Sequence, residues 1–126
     1  MKISTYLAIA GAVLALFGLQ CMLVPHFALQ QYDFPTEPHN VLQIRTLGVT
    51  QLGYGLTLWL ARSTRDDTVL RAILLASVVG NILGLILFGW ACLGGLLNAM
   101  GWGIAALYAA FVLAALYYLG SPARRA

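Results

Sequence analysis

Followed from the N-terminus, hydrophobic and polar positions divide the chain into four long apolar runs and three interruptions. The first run covers residues 3–24, between Lys2 and Pro25. A polar stretch, residues 25–40 (PHFALQQYDFPTEPHN), then leads into a second run over 41–61. The charged segment 62–71 (RSTRDDTVLR) leads into a third over 68–91, and Gly94-Gly95 separates it from a fourth over 99–119. Asn98 is the expected N-cap of the fourth run, and Ser121-Pro122 closes it before the basic tail Arg124-Arg125. Each run is long enough for a helix across a hydrocarbon layer, which takes about 20 residues. The pattern predicts an all-α integral membrane protein. It is read as one domain, 1–126, an up-down-up-down antiparallel four-helix bundle, because spans joined by short connections pack as neighbours.

Small residues supply the expected contacts. Ser4, Ala8, Gly11, Ala15 and Gly18 alternate steps of four and three and form one stripe on the first helix. Gly48 and Gly55 in the second run, and the GxxxG pair Gly80 and Gly84 in the third, are the other expected packing glycines. Arg45, Gly48, Leu52, Gly55 and Trp59 recur at helical spacing, and that face is expected to pack against other helices. The connection 25–40 contains three prolines, which forbid a continuous helix. Phe27, Leu29, Tyr32 and Phe34 make it too apolar for a free loop, so it is expected at the membrane interface or over the bundle end. A cleaved signal peptide is the rival reading of the first run. That run exceeds the 7–15 apolar residues of a signal core and no small-x-small site follows, so it is read as a true span.

Composition agrees. Hydrophobic residues make up 61% of the chain and charged residues 9%, against about 45–50% and about 25% in soluble domains. From Ala72 to Ser121 no residue is charged. The net charge of +3 is therefore not a nucleic-acid signal. Lys2, Arg62, Arg65, Arg71, Arg124 and Arg125 fall on one side of the predicted topology and Arg45 alone on the other, which places both termini in the cytoplasm of a cell whose inner (plasma) membrane holds the chain. Tyr32, Trp90 and Trp102 are expected at the outer boundary, and Tyr6, Trp59, Tyr117 and Tyr118 at the inner one.

Few residues carry candidate chemistry. Arg45 lies about one turn into its run, where an unpaired charge is costly. Asp33 or Glu37 is the expected partner, folding the loop over the bundle mouth; the functional alternative places an anionic ligand on Arg45, with Trp59, Asn81 and Tyr108 among the lining residues. Asn81, Ser77, Gln51, Thr50 and Thr57 either line a polar pocket or bond across helices. His26 and His39, with Asp33 and Glu37, have the ligand types of a zinc site but read better as polar loop groups. No histidine lies in a run, so no bis-histidine haem is expected, and no other cofactor is implied. Cys21 and Cys92 fall at similar predicted depth; two buried thiols are favoured over a disulfide. No nucleophile–base pair, acidic pair, phosphate loop or intramembrane carboxylate is evident.

The proline after the first run, RTLGVTQLGYGL opening the second, WLAR ending it and LLNAMGW opening the fourth make the chain resemble small bacterial four-span proteins of the DoxX-like type. That resemblance implies the four-span fold. A thiosulfate:quinone oxidoreductase complex is associated with DoxX itself, but no motif here carries that chemistry across residue by residue.

Three functions compete. The first is a non-catalytic accessory subunit packed against a larger membrane partner or a further copy of itself. The second is a binding or transport module for an amphipathic or lipid-like molecule held at Arg45. The third is a membrane enzyme acting on a quinone-like substrate, for which no catalytic group can be named. The lipid bilayer is an expected partner under all three.

Overall fold

The computed structural model describes residues 2–121; Pro122 and the basic pair Arg124-Arg125, used above to orient the chain, lie outside them. The protein is all-helical, 82% helix, and among the described residues it has five helices: α1 (Ile3–Leu23), α2 (Pro25–Gln30), α3 (Pro38–Ala61), α4 (Asp67–Leu93) and α5 (Ala99–Leu119).

Helices α1, α4 and α5, of 21, 27 and 21 residues, are long and apolar enough to cross a membrane. At about 1.5 Å per residue they measure about 30–40 Å, the thickness of a hydrocarbon core. Their outward surfaces are apolar too: Leu113 is 68% and Leu93 80% exposed. Such surfaces suit lipid and mark a membrane protein. Helix α3 is equally long, with 24 residues, but is not among the three apolar enough to cross. Its Asn40, Gln43, Arg45, Thr46, Thr50, Gln51 and Thr57 account for the difference.

The ends follow local chemistry. Asp66 caps α4, its side chain accepting from the backbone N–H of Thr68 and Val69 at 2.8 and 3.2 Å. Asn98 caps α5 by accepting from Met100 N–H at 3.0 Å. Helix α4 stops where Gly95 turns to φ +71°, and Leu96 N–H closes back on Ala91 C=O at 2.9 Å, the six-to-one bond of a glycine-terminated helix. The proline-rich connection is more ordered than expected. Pro25 and Pro38 each sit in the first turn of a helix, where a missing N–H costs nothing. The loop therefore contains α2, and α3 starts at Pro38 rather than at residue 41. Gln20 Nε2 donates to Gln31 Oε1 at 2.6 Å and ties the end of α2 to α1.

The chain divides into two compact units, Leu7–Arg62 and the remainder. In the Leu7–Arg62 unit, α1 and α3 run antiparallel at backbone distance. A Cβ added to Gly11 would lie 2.7 Å from Gly55 O, and one added to Gly55 would lie 2.7 Å from Gly11 O. Gly18 and Gly48 repeat the reciprocal pair, again at 2.7 Å each way. Leu52 and Trp59 complete the α3 side of the seam. Glycine's missing Cβ is what allows this approach, and it points Cα hydrogens at the facing carbonyls, as in weak Cα–H···O contacts.

In the other unit, α4 and α5 pack antiparallel through side chains. Leu70, Leu74, Ser77 and Cys92 are buried on α4, and Gly101, Ala105, Val112, Ala115 and Tyr118 on α5. Leu70, Leu74 and Ser77 step by four and three, and the wider steps to Cys92 and between Ala105 and Val112 also come close to whole turns, so each set lies on one helix face. Tyr108 lies over Gly84 and against Phe88, with ring centroids 5.5 Å apart. Gly80, expected to pack alongside Gly84, has nothing within 4 Å of where its Cβ would be; it lies about 40° from Gly84 around the helix, enough to clear the contact. The first turn of α1 joins this unit. Tyr6, 4% exposed, stacks on Tyr118, 1% exposed, at 5.4 Å. Both tyrosines, expected at the inner boundary, are buried in this unit.

Candidate functional site

Arg45 lies on α3 about 10 Å along the axis from Pro38. Gly48, Leu52, Gly55 and Trp59 turn toward α1 as expected, but Arg45 is at the edge of that face and exposed. It opens into a groove of about 390 Å³ lined by Met22 from α1 and by Leu42, Arg45, Thr46 and Val49 from α3. Leu42, Thr46 and Val49 stand at i, i+4 and i+7, so they make one stripe beside Arg45. Met22 lies against Gly48, its Cγ 2.9 Å from where a Cβ on that glycine would fall.

Arg45 makes no hydrogen bond or ion pair with any described residue. The expected cap by Asp33 or Glu37 does not form. Glu37 ends the loop as the residue before α3, 3.6 Å from His39 Nδ1. Eight residues of helix separate it from Arg45, about 12 Å. Asp33 occupies a left-handed turn at φ 59°, its N–H bonded to Gln30 C=O. Thr46 Oγ1 donates to Leu42 C=O at 3.0 Å, so Arg45 is the groove's uncommitted donor.

The other candidates have local partners of their own. Trp59 is 14 residues further along α3, about 21 Å away. Its ring carries the Arg62 guanidinium at 4.3 Å, and its carbonyl accepts from Arg62 Nη1 at 2.6 Å. Asn81 and Tyr108 belong to the α4–α5 unit. Asn81 Nδ2 donates to Ser77 C=O at 2.7 Å within its own helix, and Tyr108 is held over Gly84. Thr50 and Thr57 bond within their own helix rather than across helices. Their hydroxyls donate to the carbonyls of Thr46 and Gly53 at 3.1 and 2.9 Å, because a threonine hydroxyl reaches the carbonyl one turn back without leaving its rotamer well. Gln51 Oε1 is buried with no hydrogen-bond partner among the described residues.

His26 and His39 are exposed, and no group of three His, Cys, Asp or Glu able to hold a metal occurs among the described residues. Cys21 and Cys92 are both buried and free, not bridged.

One further feature lies on α3. Thr46, Thr50, Gly53 and Thr57 share a face and are all exposed, and a Cβ at Gly53 would meet nothing within 4 Å. Helix α3 thus has two small-residue faces, one spent on α1 and one open. The sequence singles out Thr50 and Thr57 individually, and the stripe they belong to is legible only in its spacing of four, three and four. The groove-lining Leu42, Thr46 and Val49 are legible in the same way, at i, i+4, i+7, and no spacing could supply Met22.

No family model, no curated protein and no solved structure matches the chain.

Proposed function

We propose that this is a multi-pass integral membrane protein of four spans, both termini cytoplasmic, that acts without catalysis by packing against another membrane protein. Helix α3 is the fourth span. Its length of 24 residues and its backbone-distance seam with α1 along Gly11–Gly18 support that placement, since helices in such contact share a depth. The positive-inside distribution of Lys2, Arg62, Arg65 and Arg71 supports the orientation, and the DoxX-like order of features fits a small inner-membrane protein.

The observation that carries the interaction reading is the open face of α3. Of the long helices, α3 is the one not apolar enough by itself to face lipid throughout, and its outward stripe is Thr46, Thr50, Gly53 and Thr57. The hydroxyls are satisfied within the helix, so the stripe tolerates an apolar neighbour. Its small residues allow a second helix to approach closely. A larger partner's helix is the proposed occupant.

The test is photo-crosslinking from positions 50 and 57 in native membranes, for the otherwise wild-type chain and for Gly53→Leu. Adducts to one defined membrane protein, lost in Gly53→Leu while its unfolding midpoint is unchanged, are expected. Adducts to lipid only would overturn the reading, and adducts to a second copy of the chain would replace the larger partner with a homo-oligomer.

A further inference from the structure

We infer that the groove at Arg45 is a binding site for an anionic phospholipid, with the phosphodiester on the guanidinium and an acyl chain along Leu42, Val49 and Met22. The inference needs the membrane placement of α1 and α3 but not the helix partner; the two sites share Thr46, from which the partner's stripe continues through Thr50, Gly53 and Thr57.

Three observations converge. Arg45 presents a planar fork of five donors, and no described residue engages it. A cation beside a membrane-length apolar helix is costly without an anion or water, and the two carboxylates nearest in sequence do not neutralise it. Next, the remaining lining is Met22, Leu42, Val49 and the methyl side of Thr46, whose hydroxyl is already bonded to Leu42 C=O. A free inorganic anion would meet a single cation and apolar walls, a poor exchange for its hydration. An amphiphile fits both parts, because a guanidinium matches a phosphate oxygen pair in bidentate fashion while the apolar walls take the chain. Finally, the groove is preformed. The reciprocal Gly18–Gly48 contact sets the distance between α1 and α3, and Met22 is held against Gly48, so the lipid has no wall to build.

The chemistry points to a phospholipid with net negative headgroup charge rather than a zwitterionic one. A zwitterionic headgroup brings its own ammonium beside the phosphate, and no described acidic residue lines the groove to receive it.

The experiment is native mass spectrometry of the full chain released from nanodiscs of equimolar phosphatidylglycerol and phosphatidylcholine. Wild type, Arg45→Gln, Arg45→Lys and Val49→Trp are compared. All the altered positions are exposed, and each variant is checked for an unchanged unfolding midpoint. Wild type should retain one phosphatidylglycerol in preference to phosphatidylcholine. Arg45→Gln should lose that preference by about tenfold, the scale of one charge-assisted contact. Arg45→Lys should keep part of it, and Val49→Trp, which fills the apolar wall, should lose bound lipid with the charge intact. Undiminished preference in Arg45→Gln would overturn the inference. So would displacement of the lipid by inorganic phosphate alone, which would make this a simple anion site. Loss of lipid in Gly53→Leu at an unchanged midpoint would tie the site to the helix-partner face and overturn their independence.

Discussion

The α1–α3 and α4–α5 pairs are both antiparallel contacts between long helices, yet they are built from different material. Along α1–α3, glycines face glycines and each carbonyl lies where the other's Cβ would be, at 2.7 Å. Along α4–α5, aromatic rings and branched chains fill the space, with Tyr108 over Gly84 and Phe88 beside it. Backbone cannot move aside for a new atom without moving a helix, whereas a ring can rotate or be exchanged. The first seam is therefore rigid and intolerant, and the second is adaptable. The rigid seam is also the one that borders the Arg45 groove.

The largest test of this contrast is Gly18→Val or Gly55→Val. Each adds atoms where a Cβ already falls 2.6–2.7 Å from backbone N and O of α3 or α1. We expect losses at the upper end of overpacking, about 3 kcal/mol or failure to fold, read by equilibrium unfolding in mixed micelles. A cost below about 1 kcal/mol would show that the seam yields after all and break the comparison.

Gly84→Ala comes next. Its Cβ would approach the Tyr108 ring to 2.5 Å, but a ring can shift, so about 1–2 kcal/mol is expected. Adding Tyr108→Leu should recover part of the loss, a positive coupling in a double-mutant cycle. No side-chain exchange should rescue Gly18→Val in the same way.

A smaller effect is expected for Tyr6→Phe. The hydroxyl donates to Phe111 C=O at 3.4 Å, a long bond, so its loss should cost at most about 1 kcal/mol while the ring stack on Tyr118 persists.

The smallest concerns the open glycines. Nothing stands within 4 Å of a Cβ at Gly53 or Gly80, so Gly53→Ala and Gly80→Ala should be neutral or stabilise by up to about 1 kcal/mol through the lower entropy of the unfolded chain. A marked loss at either position would mean that an unseen helix already occupies that face, and the unfolding midpoint would report it.

Much of the fold was legible in the chain because its cause is local. Twenty apolar residues in a row, Asn98 before an apolar run and Gly94-Gly95 after one state their structure without reference to neighbours. The small-residue stripe Gly11, Ala15, Gly18 was equally visible, and so was the face of Gly48 and Gly55. The helix within the proline-rich loop was not. A proline that forbids a helix through itself also favours one starting at itself, and only the folded chain shows which applies. Gly80 and Gly84 make the same point, since a GxxxG pair states two candidate contacts and neighbours decide which one is used.

The candidate site divides similarly. Sequence alone singled out Arg45 as the one basic residue away from the chain ends and the charged turn, and that its charge requires an answer follows from the solvent. It assigned the answer to Asp33 or Glu37 on proximity in the chain. Proximity in sequence sets distance along an axis, and eight residues of helix put Glu37 about 12 Å from Arg45, out of reach. Trp59 failed as a lining residue for the same reason. What sequence determined was where the four long helices lie, their polarity and which residues share a face, because these follow from apolar run length and a fixed rotation per residue. What only tertiary structure decided was which face meets which. That choice depends on shape complementarity between distant segments, and here the reciprocal glycines of α1 and α3 bring Met22 opposite Val49 and leave Arg45 at the edge of their seam.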